Sequence, residues 1–232
     1  MMRRLVVALA LLCGACSAVP PAPKPKLHVL TALPLFWGEG DVADVLQNRT
    51  GPAPSLKALS GSWDVVALDM ADAAALQAVQ KLLVIQPPRL ALAELVALDA
   101  WVRQGGHVVI LADPDLRWPQ QRPIGDPRRA PAATLLSPLY RHWGLDLQPD
   151  VMGSASRIAR IQAWTLALPG SGQWVRASGP CQVRDPALAI CQLGKGRAVL
   201  IADADFFRPQ GDAAAQALGI AAINGMLMDK NQ

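Results

Sequence analysis

Apolar positions along this chain fall into two kinds of run. Short, nearly unbroken apolar segments occur at Leu27-His28-Val29-Leu30-Thr31, within Trp63-Asp64-Val65-Val66-Ala67-Leu68, at Leu82-Leu83-Val84-Ile85 after Lys81, and at His107-Val108-Val109-Ile110-Leu111-Ala112. Strands buried on both faces have this character, and they belong to parallel sheets covered by helices. Helical patterning lies between them. Residues 39–47 read as a short helix ending among the turn formers of 48–54, and residues 72–80 are alanine-rich and helical by propensity. Residues 90–104 carry the clearest helix: Leu92, Leu95, Val96 and Val102 fall on one side, Leu98 and Trp101 widen the stripe, and Glu94, Asp99 and Arg103 face away. Gly105-Gly106 supplies its exit. The strand, helix, strand succession predicts right-handed crossovers and an open, mostly parallel α/β sheet with helices on both faces.

The rhythm breaks at residues 113–150, where Pro114, Pro119, Pro123, Pro127 and Pro131 argue for a long loop, followed by a short helix at about 134–143. Mixed short runs in 151–174, with a turn at Pro169-Gly170-Ser171-Gly172, suggest a small antiparallel addition. Residues 188–193, Gly194-Lys195-Gly196 and 197–202 read as a strand, a tight turn and a strand. A second amphipathic helix, 213–228, follows. The expected organisation is one α/β domain over 27–232 with a loop and short-helix insertion at about 113–150.

The first residues carry processing information. Met1-Met2-Arg3-Arg4, the apolar run from Leu5 to Leu12 and the small residues Gly14-Ala15 have the order of a secretory signal peptide over 1–15, too short to span a bilayer. Cys13-Gly14-Ala15-Cys16-Ser17 resembles a lipobox, which makes Cys16 a lipid attachment site; simple secretion is the alternative. Residues 16–26, with Pro20, Pro21, Pro23 and Pro25, form a proline-rich tether. These readings place the chain in a bacterial envelope, periplasm-facing, and Ser17 favours the outer membrane over the inner. Cys181 and Cys191 remain as a pair: a disulfide in an oxidising compartment, or two buried small hydrophobes.

Composition agrees with a core-forming chain: 232 residues, 52% hydrophobic and 17% charged, with 20 prolines. A disordered protein is excluded. The net charge of +4 includes Arg3 and Arg4 of the leader, and no basic cluster interleaved with aromatics points to nucleic acid.

Sites in open α/β sheets lie beyond the carboxyl ends of the strands. The groups expected there are Trp37 after the first strand, Gln86 before Pro87-Pro88, Asp113 and Asp115, Trp118 in the following loop, and Asp203 and Asp205. The two acidic pairs either face one crevice or have the first Asp capping a turn and the second in solvent. Trp118 and Arg128-Arg129 offer aromatic contact and charge to a ligand. A nucleophile elbow needs Ser or Cys at a sharp strand-to-helix turn, whereas the turn after Ile85 offers Gln86-Pro87-Pro88. Gly38-Glu39-Gly40 and Gly194-Lys195-Gly196 lack complete dinucleotide or phosphate-loop patterns, and His28, His107 and His142 form no relay, so no cofactor, metal or catalytic residue is assigned.

From Leu83-Val84-Ile85-Gln86-Pro87-Pro88, through Leu92 to Val102, to Gly105-Gly106 and His107-Val108-Val109-Ile110-Leu111-Ala112-Asp113-Pro114, the chain resembles the GldG-like auxiliary component of ABC-type transport systems. The resemblance implies a class I glutamine amidotransferase-like or flavodoxin-like domain without the catalytic nucleophile, with an ABC-type transporter as protein partner. The expected function is a noncatalytic envelope-side accessory or binding lipoprotein taking a protein or glycan-like ligand. An envelope hydrolase or amidase with a nonstandard site is the alternative.

Overall fold

The computed structural model describes residues 22–229 apart from Asp41, Asn48, 151–155, Gln162 and Ser171. The expected signal peptide over 1–15, Cys16 and most of the 16–26 tether lie outside the described residues.

In chain order the elements are β1 (Lys26–Thr31), α1 (Val42–Leu46), α2 (Pro54–Leu59), β2 (Asp64–Ala67), α3 (Ala73–Leu76), β3 (Lys81–Ile85), α4 (Leu92–Arg103), β4 (His107–Leu111), α5 (Ser137–His142), β5 (Leu145–Pro149), β6 (Arg157–Ile161), β7 (Trp164–Leu168), β8 (Gly172–Arg176), β9 (Cys181–Asp185), β10 (Leu188–Leu193), β11 (Gly196–Ile201) and α6 (Ala213–Met228). A seven-stranded sheet runs in the order β2-β1-β3-β4-β11-β10-β9. Its first five strands are mutually parallel. β10 and β9 extend it antiparallel. Two antiparallel pairs, β5 with β8 and β6 with β7, are inserted between β4 and β11.

Residues 82–85, 108–111 and 198–201 are fully buried, so the three central strands form the core, as unbroken apolar runs require. α3 packs on α4 and α2 on α6, giving the sheet a helical layer on each face. The hairpin read at 188–202 is present, and β11 also pairs with β4, which makes it a central strand of the sheet. Gly196 makes this possible: a Cβ there would fall 1.9 Å from the Val102 carbonyl oxygen, so only glycine lets β11 begin beneath the end of α4.

Two helices differ from their reading. α3 is shorter than 72–80: Asp72 caps it by accepting from the Ala75 amide at 2.7 Å, and the chain then buries Leu76 and Val79 on its way into β3. In α4 the buried face centres on Leu98 and Val102, while Leu92 and Val96 are 75% and 62% exposed. Asp99 does not face away. It accepts from the Trp143 indole and from Arg103, each at 2.8 Å, and so anchors the end of α5 to α4. On α5, Tyr140 packs edge-on against Trp174 of β8 with ring centroids 5.0 Å apart, fixing the inserted layer to the domain. Cys181 and Cys191 face each other across β9 and β10 and are joined in a disulfide.

Candidate functional site

Two groups of residues lie beyond the carboxyl ends of the parallel strands, and they do different work. The first is the acidic group after β4 and β11. Asp113 is buried; its carboxylate accepts from the amides of Asp115 at 2.8 Å and Ala204 at 3.0 Å, bridging the two strand ends. Asp203 accepts from the amides of Asp205 at 2.7 Å and Gly170 at 3.2 Å. Asp205 accepts from the Arg117 amide at 3.0 Å, with the Arg208 guanidinium 3.9 Å away. Asp113 and Asp203 therefore act as turn caps. Asp115 is in solvent, whereas Asp205 is fully buried, because Arg117 reaches back from the long loop to satisfy it.

Removing these carboxyls from water raises their affinity for protons. Burial pushes Asp113 up to about 7, with repulsion from Asp205 and Asp115 adding to it and the two amides opposing it. Asp203 is raised well above the carboxylate range by burial and by the charge of Asp113. Asp205 is raised by burial, against the pull of Arg208 and Arg117. The hollow beside Asp113, Asp115 and Arg117 measures about 30 Å³, room for roughly one water. Among the described residues no group of three or more His, Cys, Asp or Glu is arranged to hold a metal.

Gln86 belongs to this same internal brace. Its side chain accepts from the Asp113 amide at 3.0 Å and donates to the carbonyls of Asp113 at 3.2 Å and Pro131 at 3.0 Å. The backbone is left-handed here, with φ of +39°, at the turn where an elbow residue would stand. Gln86 is fully buried, so it presents no group to a ligand.

The second group forms an open cleft at the ends of β1 and β2. After β1 the chain turns sharply: the Leu33 amide donates to the Thr31 hydroxyl at 3.0 Å, the Gly38 amide donates to the Pro34 carbonyl at 3.1 Å, and Gly38 has φ of +72°. Leu33 and Leu35 are buried, which turns Trp37 outward with 67% of its surface exposed. A hollow of about 330 Å³ opens beside it, bordered by Phe36, Glu39, Asp69, Gln120, Arg122 and Arg128. A neighbouring hollow of about 310 Å³ shares Pro34, Gly38 and Glu39 and reaches Trp118, which is only 5% exposed.

The 113–131 loop supplies the far wall of this cleft. Glu39 accepts from the Gln121 amide at 2.8 Å, tying the loop to the β1 turn. Asp126 holds Arg128 through two guanidinium bonds of 2.8 and 3.1 Å and a backbone amide bond of 2.8 Å, with Arg122 3.8 Å away, and these bonds from Arg128 keep the Asp126 carboxyl down at about 2. Arg129 donates to the Arg122 carbonyl and stays out of the cleft.

Of the residues anticipated from sequence, Trp37 and the edge of Trp118 border the cleft, whereas Gln86, Asp113, Asp203 and Asp205 are gathered into the brace behind it. Glu39, Asp69 and Arg122 were missed. Glu39 was visible only as the middle of an incomplete glycine motif, and Asp69 and Arg122 carry no local signal.

Residues 24–173 match the family described as ABC-type uncharacterized transport system, over well more than half of the chain. The chain belongs to that family. Membership links it to an auxiliary role in ABC-type transport, and the matched span takes in the whole lining of the hollow of about 330 Å³ beside Trp37 but stops before Asp203 and Asp205. No curated protein matches the sequence. Among solved structures, the mmIFT52 N-terminal domain is 15% identical at a TM-score of 0.53, covering 90% of this chain and 100% of that one. The exo-beta-1,4-mannosidase Op5Man5 from Opitutaceae bacterium strain TAV5 is 14% identical at 0.51; the match covers 90% of this chain but 37% of the mannosidase. The cytoplasmic protein STM1381 from Salmonella typhimurium LT2 is 12% identical at 0.51, covering 88% and 100%. At such identities the likeness is one of fold alone. Among the described residues no helix is long and apolar enough to cross a membrane.

Proposed function

We propose that this family member is a noncatalytic, lipid-tethered accessory domain that faces the periplasm and engages its ABC-type transport partner through the Trp37 cleft. The observation that carries the proposal is the cleft itself: an exposed indole flanked by Glu39, Asp69, Arg122 and Arg128 at the strand ends where open α/β sheets bind ligands. The parallel order β2-β1-β3-β4-β11 supports a flavodoxin-like or class I glutamine amidotransferase-like affiliation. Attachment of lipid at Cys16 after removal of 1–15, with 16–26 as tether and the outer membrane as destination, rests on the order of residues at the N-terminus.

A protein segment of the transport system is the ligand this cleft favours, since paired charges of both signs around one aromatic suit a polar surface. A glycan-like ligand is the second reading, supported by the Trp37 ring face beside two carboxylates. A hydrolase or amidase draws support from the left-handed backbone at Gln86, but the amide there is not a nucleophile and is fully engaged.

The test is photo-crosslinking in native membranes with a photoreactive amino acid at position 37. Capture of an ABC-type transporter subunit, with co-purification of that subunit lost in Trp37→Ala and membrane association lost in Cys16→Ser, is the expected outcome. Undiminished co-purification by Trp37→Ala would remove the cleft from the interaction.

A further inference from the structure

At the opposite, amino-terminal ends of the three central strands, three basic residues stand in register: Lys81 pairs with His107, and His107 with Arg197. Register partners in a parallel sheet project to the same face. Together with Lys195 of the β10–β11 turn they border a hollow of about 220 Å³. We propose that this hollow is an oxyanion site that takes a phosphate group.

The argument starts from unmet hydrogen-bonding capacity. Arg197 is only 7% exposed, and all three of its guanidinium nitrogens are buried without a hydrogen-bond partner. Its guanidinium carbon lies 5.9 Å from the centroid of the Trp164 ring, a cation–π contact that leaves every N–H unused. His107, 8% exposed, receives the Lys81 ammonium on Nδ1 at 2.9 Å. Its proton is therefore on Nε2, which is buried and also lacks a partner. Burial, Lys81 and Arg197 together hold the imidazole down to about 4, so the ring is neutral and this tautomer persists at neutral pH.

A buried, unpaired guanidinium is costly, and the two orphaned groups are both donors. Lys81 and Lys195 bring two more cations to the same hollow, against one carboxylate, Asp229, among the described residues that line it. Several convergent donors and a net positive charge match an oxygen-rich anion, and the planar guanidinium fork matches phosphate in particular. A turn of the Arg197 stem away from Trp164 presents that fork to the bound group. At the carboxyl ends of the strands, by contrast, the buried Asp113, Asp203 and Asp205 each accept from backbone amides.

Free phosphate and the headgroup of an anionic lipid offer the same chemistry, and the experiment separates them. The purified protein is titrated with inorganic phosphate by calorimetry at ionic strength held constant with chloride, and sedimented with phosphatidylcholine vesicles with and without phosphatidic acid. One-to-one binding of phosphate, or sedimentation that requires phosphatidic acid, supports the site and identifies its source. Arg197→Met keeps the apolar stem on Trp164 and weakens the response at least about tenfold, as expected for charge-assisted hydrogen bonds. Lys195→Gln, in an exposed turn, weakens it less and guards against misfolding as the cause. Absence of both responses in the wild type, or responses unchanged in Arg197→Met and Lys195→Gln, would overturn the assignment.

Discussion

Replacing Gln86 with leucine isolates the brace that joins the end of β3 to the long loop. The two side chains have similar volume, so packing changes little, while three buried hydrogen bonds disappear. The Asp113 carbonyl keeps a donor, the Thr134 amide at 2.8 Å. The Asp113 amide and the Pro131 carbonyl lose the bonds that Gln86 supplies, and an orphaned buried group costs about 1–3 kcal/mol. The variant should lose roughly 3–5 kcal/mol, a fall of roughly 10 °C in Tm for a domain of this size. Gln86→Gly sets relief of the left-handed strain, worth about 1–2 kcal/mol, against the cavity left by a fully buried side chain, so this variant too should be less stable than wild type. Urea unfolding with linear extrapolation, alongside calorimetry, measures both. If Gln86→Leu lies within about 0.5 kcal/mol of wild type, the brace is not holding the loop and the account of the acidic cluster built on it fails.

Stability should fall as pH rises from about 4 to about 7, because the folded protein holds the Asp113 proton more tightly than the unfolded chain does. The rise to about 7 from 3.8 corresponds to at most about 4 kcal/mol. Urea midpoints across that range should decline in the wild type and decline less steeply in Asp113→Asn, where Asp203 and Asp205 still contribute; equal slopes would refute the assignment. Reduction of the Cys181–Cys191 bond, which spans a sequence separation of 10, should cost about 3 kcal/mol on chain-entropy grounds. A Cys181→Ala/Cys191→Ala variant should unfold identically with and without reductant, and a wild type indifferent to reductant would show the bond to be dispensable.

What could be read from the sequence was what local patterning determines. The buried runs of β3 and β4 and the ends of α6 match their readings because period and punctuation specify them without help from distant residues. The face of α4 was misjudged for a physical reason. Asp99 counts as polar in any periodicity, yet the Trp143 indole, 44 residues on, turns it inward. Asp205 is buried for the same kind of reason, its partner being the Arg117 amide 88 residues earlier. Glu39, Arg122 and Arg128 meet at the cleft only because the 113–131 loop folds back over the turn after β1. Trp37 was legible as a candidate from its place after a strand, whereas its company was not.

The pairing of β4 with β11 has a consequence for how the molecule is made. Residues 107–111 must wait for 197–201 before their ladder is complete. Until the two strands meet, the border of β4, apolar from Val108 to Leu111, is open as a template for wrong partners. Because β11 is the strand that closes this border, a pairing across about 90 residues of sequence is what completes the parallel sheet.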